Sequence, residues 1–352
     1  MRAILKQALY LSIAVIGIYA ALLALSYALV PTVNDRYGLD SSRADESIFT
    51  TDPKYVFLNR AAVRPDARRI VFVGASNTAF GFKQREIQLL MPSAEVDNLS
   101  VGGSNMTQVA QIVELVQDLQ SPAARRRTTF VIGKWYGMFV PDRFRWDTPD
   151  RHKGETDIDI ERYRYGFYRR GDDGPQQVRP SNSLSLGITL IRPYLVFDDL
   201  SRAASKGLRE RLSGKPPRRT DAERNASIVA EKDRVTALQY WREQMHSDGP
   251  LAEEQFSVLR SLVDKILEQG SNAVVVDLPI PRWHSERSPF YASYLNRRQA
   301  LLSDLQGKPG FSYLEMADRN DDLDFSDEVH PKPRVTQLWA AQIAALLQSP
   351  QT

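Results

Sequence analysis

From Ala8 to Val30 the chain runs for 23 residues without one charged side chain. At 1.5 Å per residue, a helix of about that length covers the roughly 30 Å hydrocarbon core of a bilayer. The run is apolar on every side, so it does not read as the half-buried helix of a soluble core. Arg2 and Lys6 precede it and Asp35 comes after it. That charge order predicts an amino terminus inside and the bulk of the chain outside. A cleaved signal peptide is the competing reading, with Ser26-Tyr27-Ala28 as the cleavage region. The length of the run favours an uncleaved anchor. Both readings place the rest of the chain outside the cytoplasm. The expectation is a bacterial inner-membrane protein with a single span at residues 8–30 and its main domain in the periplasm.

The exported part must do its chemistry with few side-chain types. Among 352 residues there is no cysteine, which excludes disulfides, a thiol nucleophile, cysteine–zinc sites and iron–sulfur clusters. The four histidines, His152, His246, His284 and His330, share no short ligand spacing, so no metal site is expected. Nothing in the sequence calls for a cofactor. A net charge of +3 on an exported chain gives no reason to expect nucleic acid as a partner.

Hydrophobic patterning divides the chain into an anchor or signal (1–30), a polar stalk and entry segment (31–68) and one large domain (69–350). Short apolar runs at Arg69–Gly74, Glu95–Val101, Thr128–Ile132, Ala273–Leu278 and Phe311–Leu314 read as buried strands. Helical spacing appears at Lys83–Met91, Thr107–Leu119, Asp221–Met245, Leu251–Glu268 and Val335–Leu347. Strands alternating with helices predict an α/β domain around a parallel, doubly wound sheet. Active sites in such sheets lie beyond the carboxyl ends of the strands. An insertion at about 141–227 interrupts the pattern. Its run from Arg162 to Arg170 interleaves cations with aromatics, and Lys215-Pro216-Pro217-Arg218-Arg219 adds a second basic stretch. It reads either as a cover over the active face, suited to sugars and anions, or as a solvated loop region.

Three turns carry possible chemistry. Gly74-Ala75-Ser76-Asn77 ends the first strand, where a serine hydroxyl would stand at the sheet edge beside the N–H groups of a helix start. Asn98-Leu99-Ser100-Val101-Gly102-Gly103 comes after the second strand, and glycine there lets the backbone approach a ligand. Asp327-Glu328-Val329-His330 precedes the last helix, a spacing that lets a carboxylate face the imidazole Nδ1. Each is weak alone: a capping serine, a tight turn and a surface aspartate are the ordinary alternatives.

Together and in this order they resemble the SGNH (GDSL-like) hydrolases, over roughly Arg69–Trp135 and Val274–Leu347. The resemblance implies a flavodoxin-like three-layer α/β/α fold. It implies Ser76 as nucleophile, His330 as general base and Asp327 as its orienting acid, with the N–H groups of Ser76 and Gly103 as the oxyanion hole. The family's third block supplies an oxyanion Asn side chain. Here the third strand runs into Gly133-Lys134-Trp135-Tyr136-Gly137, which contains none. Removing one such donor costs about 3 kcal/mol of transition-state stabilisation.

The single anchor, the tryptophan after the third strand and Leu278-Pro279-Ile280-Pro281-Arg282-Trp283-His284 after the fourth are similar in layout to the envelope proteins of teichoic acid D-alanylation and of alginate and cellulose O-acetylation. That likeness implies a periplasmic O-acyltransferase or esterase. It would move an acyl group, acetyl being the expected one, between a small-molecule or membrane-protein donor and a polysaccharide, with a membrane-bound O-acyltransferase as partner. Asn77, Lys134, Trp135, Arg282, Trp283 and His284 are the side chains offered as substrate contacts; for His284 a hydrogen-bonded structural role is the favoured reading. The rival from another class is a non-catalytic polysaccharide-binding or scaffold protein for such an acyltransferase.

Overall fold

The computed structural model describes residues 1–29, 56–57, 66–139, 151–178, 181–212, 221–244 and 251–348. Most of the expected stalk and the Lys215–Arg219 stretch lie outside the described residues. The first element, α1 (Arg2–Leu29), is one unbroken helix. Among the described residues it is the only helix long and apolar enough to cross a membrane. Its side chains are exposed except near its carboxyl end, where Ser26 is buried.

The domain begins with β1 (Arg69–Gly74), α2 (Ser76–Gly81), α3 (Gln84–Leu90), β2 (Glu95–Asn98), α4 (Met106–Leu119) and β3 (Thr128–Lys134). The next stretch holds α5 (Asp157–Tyr163), the hairpin β4 (Tyr168–Gly171) and β5 (Gly174–Gln177), α6 (Asn182–Leu212), α7 (Asp221–Ala226) and α8 (Glu231–Gln244). The alternation then resumes with α9 (Glu253–Glu268), β6 (Asn272–Asp277), α10 (Arg282–Arg287), α11 (Tyr291–Leu305), β7 (Phe311–Glu315) and α12 (Pro333–Gln348).

Five strands form one sheet in the order β2-β1-β3-β6-β7, every neighbouring pair parallel. Counted within the sheet this is 2-1-3-4-5, a doubly wound order that reverses direction between β1 and β3. Side chains alternate between two cores, as the strand period requires. Val71, Val73, Phe130, Ile132 and Val275 face α4, α9 and α11. Ile70, Phe72, Val131, Val274 and Val276 face Phe82, Ile87 and the Val335–Trp339–Ile343 stripe of α12. With both faces covered, the central strands read as continuous apolar runs rather than alternating ones.

The structure corrects several boundaries. The second strand stops at Asn98 because the Asn98 side chain turns the chain: its Oδ1 accepts from Ser100 N at 3.1 Å, and its Nδ2 donates to Phe82 O at 2.9 Å. The single helix expected over Asp221–Met245 is two, α7 and α8. The break lies where Lys332 Nζ donates to the carbonyls of Asn225 and Ser227. The described part of the insertion reaches the active face at the glycine turn, where Tyr165 Oη donates to Gly102 O at 3.0 Å, and otherwise spreads over several surfaces. Residues 151–178 lie along α4, held by Gln108 to Glu161, Gln111 to the Arg162 carbonyl and Tyr168 to Glu114. Helix α7 packs on α12, α8 on α10, and α6 packs on α1.

Candidate active site

Ser76 is the first residue of α2, immediately past the carboxyl end of β1 and therefore at the reversal point of the sheet. The strand and helix can meet this tightly because Gly74 and Gly133 have no side chain. A Cβ on either would run into the Thr78 side chain. Thr78 Oγ1 donates to Gly133 O at 3.3 Å, which ties the first turn of α2 to β3. Beside β1, Val101 N and Ser104 Oγ both donate to Gly74 O, at 3.0 and 2.9 Å. These bonds seat the glycine turn against the same strand end. Gly103 takes φ 73°, the left-handed region that favours glycine.

His330 arrives from the far end of the chain. Its Nε2 lies 2.8 Å from Ser76 Oγ, across 254 residues of sequence. Its Nδ1 lies 2.7 Å from Asp327 Oδ2. The other Asp327 oxygen accepts from the N–H groups of Val329 and His330, at 2.9 and 2.8 Å. A carboxylate accepts only, so Nδ1 carries the proton and Nε2 presents its lone pair to the serine hydroxyl. Burial opposes ionisation of Asp327, but its pairing with His330 and the two N–H groups outweigh it and hold the carboxyl below its usual range. Phe80, one helical turn after Ser76, meets the His330 ring edge-on at 5.1 Å.

A second imidazole sits behind this one. His284 is fully buried. Its Nδ1 is 2.8 Å from the Glu328 carbonyl, and its Nε2 is 2.6 Å from Tyr136 Oη. The carbonyl can only accept, so Nδ1 donates to it and Nε2 accepts from the phenol. Burial pushes the His284 pKa down to about 4, only partly opposed by the bond to Glu328. Trp135, Trp241, Trp283, Phe290 and Tyr291 enclose this pair.

Of the side chains expected near substrate, only Arg282 is exposed. Lys134 is corrected to an internal ion pair. It is fully buried, 3.1 Å from Asp277 and 2.6 Å from Tyr294 Oη, while Arg298 and Tyr313 bond the other Asp277 oxygen. Burial lowers its pKa against the pull of Asp277. His284 takes the hydrogen-bonded structural role, both ring nitrogens being occupied within the protein. Trp135 and Trp283 belong to the aromatic enclosure. Asn77 is 1% exposed; its Oδ1 accepts from Thr78 N and its Nδ2 has no protein partner.

Sequence reasoning missed Tyr136 and Trp241 as parts of the site's support, and Asp277, Tyr294 and Arg298 as the partners of Lys134. None has a local signature; the sheet order and α8 bring them in. Among the described residues no group of three or more His, Asp or Glu is placed to hold a metal ion. Compared with known proteins, the sequence matches no family model and no curated relative.

Proposed function

We propose that this chain is a membrane-anchored, periplasm-facing serine acyltransferase or carbohydrate esterase of the SGNH type, with a flavodoxin-like three-layer domain. It acts on an envelope or secreted polysaccharide through an acyl-Ser76 intermediate. The observation that carries this reading is the hydrogen-bonded chain Asp327–His330–Ser76 at the carboxyl edge of a parallel sheet. His330 Nε2 takes the hydroxyl proton as Ser76 Oγ attacks the acyl carbonyl. The tetrahedral oxyanion is received by the N–H groups of Ser76 and Gly103. Collapse breaks the bond to the leaving group, which departs with the proton from His330, and leaves acyl-Ser76. A sugar hydroxyl then repeats the steps in reverse: it gives its proton to His330, takes the acyl group, and the proton returns to Ser76. Water in place of the sugar makes the same site an esterase. The anchor and the absent oxyanion Asn favour transfer. A scaffold without catalysis would be supported by a serine beyond reach of the imidazole; the 2.8 Å separation supports catalysis.

The test is intact-mass spectrometry of the full chain in detergent with an activated acetyl ester, beside Ser76→Ala and His330→Ala. An adduct of one acetyl group on the wild type, absent from Ser76→Ala, is the expected result. Candidate glycans then separate transfer from hydrolysis. A fully folded protein that takes no acyl group from any activated ester would sink the proposal.

A further inference from the structure

Helix α6 is the least expected element of the fold. Its 31 residues lie in what the sequence presents as an irregular insertion, and its main packing partner is α1 rather than the sheet domain. The two helices meet at the last turns of α1. There Arg192 is buried, with its guanidinium 4.2 Å from the Tyr27 ring centroid and 3.4 Å from Ser26 O. The opposite side of α6 is bare: Leu186 is 59% exposed, Leu190 44%, Ile191 50%, Tyr194 69%, Leu208 59% and Leu212 78%. At 100° per residue, Leu186, Leu190, Tyr194, Leu208 and Leu212 fall within an arc of about 80°. That is an apolar stripe along the helix, broken midway at Ser201. A soluble surface seldom leaves such a stripe in water.

From the structure we infer that α6 is a second membrane-contacting element, lying in the interface of the bilayer that α1 crosses. Depth and charge both fit this occupant. Arg192 fixes α6 at the level of Ser26 and Tyr27, the end of the span, where aromatic and arginine side chains sit at the headgroup boundary. Leu190 and Tyr194 of the stripe flank Arg192, beside the end of the exposed apolar surface of α1. Beyond the stripe's middle, residues 202–212 of α6 contain four Lys and Arg against one Glu, following Asp198 and Asp199. Basic residues beside an apolar stripe are the pattern of a helix that lies on anionic lipid. The inference rests on the proposed role of α1 as a membrane anchor and is independent of the chemistry at Ser76.

The absence of cysteine allows single-site labelling without background. The full chain is reconstituted in phosphatidylethanolamine–phosphatidylglycerol vesicles with a nitroxide on Leu190→Cys, Leu212→Cys, Ile16→Cys in mid-span, or Leu338→Cys on the exposed side of α12. Collision with oxygen, which partitions into lipid, is compared with collision with a water-soluble nickel chelate. The expected oxygen-to-nickel ratio at 190 and 212 is several-fold above that at 338 and below that at 16. Ratios at 190 and 212 equal to that at 338 overturn the inference. So does protection from both quenchers, which means that protein covers the stripe, and so does a water-exposed label at 16, which removes the bilayer from α1. None of these outcomes bears on whether Ser76 acylates.

Discussion

Two hydroxyl–imidazole chains lie back to back at the carboxyl edge of the sheet. One runs from Ser76 through His330 to Asp327, the other from Tyr136 through His284 to the carbonyl of Glu328. Each histidine uses Nε2 towards the hydroxyl and Nδ1 towards an acceptor. The acceptors differ: a carboxylate can stabilise an imidazolium, whereas a neutral carbonyl does so weakly. The surroundings differ too. The His330 side chain keeps 26% of its surface exposed, while His284 is sealed among aromatics with its pKa pushed down to about 4. The same donor–acceptor order therefore suits the first chain to the proposed proton transfer and makes the second a fixed strut. The two meet in one turn, because Glu328 lies between Asp327 and His330.

Breaking the first chain gives the largest effects. Ser76→Ala removes the nucleophile, and kcat on an activated ester is expected to fall roughly a million-fold with the fold intact by circular dichroism. Asp327→Asn should cost about 10⁴-fold. An amide at that position can donate to Nδ1, which places the ring proton on Nε2 and leaves no lone pair for the serine. A Ser76→Ala variant that kept wild-type turnover would place the chemistry elsewhere.

The first chain is legible in the sequence and the second is not. A serine after an apolar run, a glycine turn after the next run and D-x-x-H before the last helix are local patterns. The order of strands carries them to one sheet edge. Tyr136 and His284 stand 148 residues apart with no pattern that pairs them. Their contact depends on β3 lying beside β6, as does the Lys134–Asp277 pair. Lys134 reads as a substrate contact, and His284 as a lesser candidate for one, because polar side chains after a strand end ordinarily reach solvent. Here both are enclosed: Asp277, Tyr294 and Tyr313 surround Lys134, and Trp241 of α8 packs against His284. Helix α6 has no clear signature because Gly187 and Pro193 interrupt its pattern.

Breaking the second chain should act through position and not through proton transfer. His284→Phe removes the donor to Glu328 O and lets the Asp327–His330 turn shift. A displacement of up to about 1 Å at reacting groups costs up to about a hundredfold, so a ten- to hundredfold fall in kcat is expected with KM little changed. His284→Asn, whose Nδ2 stands near the Nδ1 position, should recover part of it. Stability gives a second readout. The unfolded histidine titrates near 6.5 and the folded one near 4, so the unfolded state binds the extra proton between these values. Stability is then full above pH 6.5 and falls by roughly 3 kcal/mol as pH drops to 4. Denaturant titrations of His284→Phe should lack that part of the slope.

The smallest effect separates strut from device most sharply. In the first chain the hydroxyl is the proposed reacting group; in the second it only satisfies Nε2. Tyr136→Phe leaves the His284 lone pair buried without a donor, a cost of about 1–3 kcal/mol in unfolding free energy. The Nδ1–H bond to Glu328 survives, so the turn keeps its place. Turnover is expected to change no more than a few-fold, and its pH profile not at all. A loss of turnover as deep as that of Asp327→Asn would mean that the phenol shares in proton transfer, and the distinction between the two chains would fail.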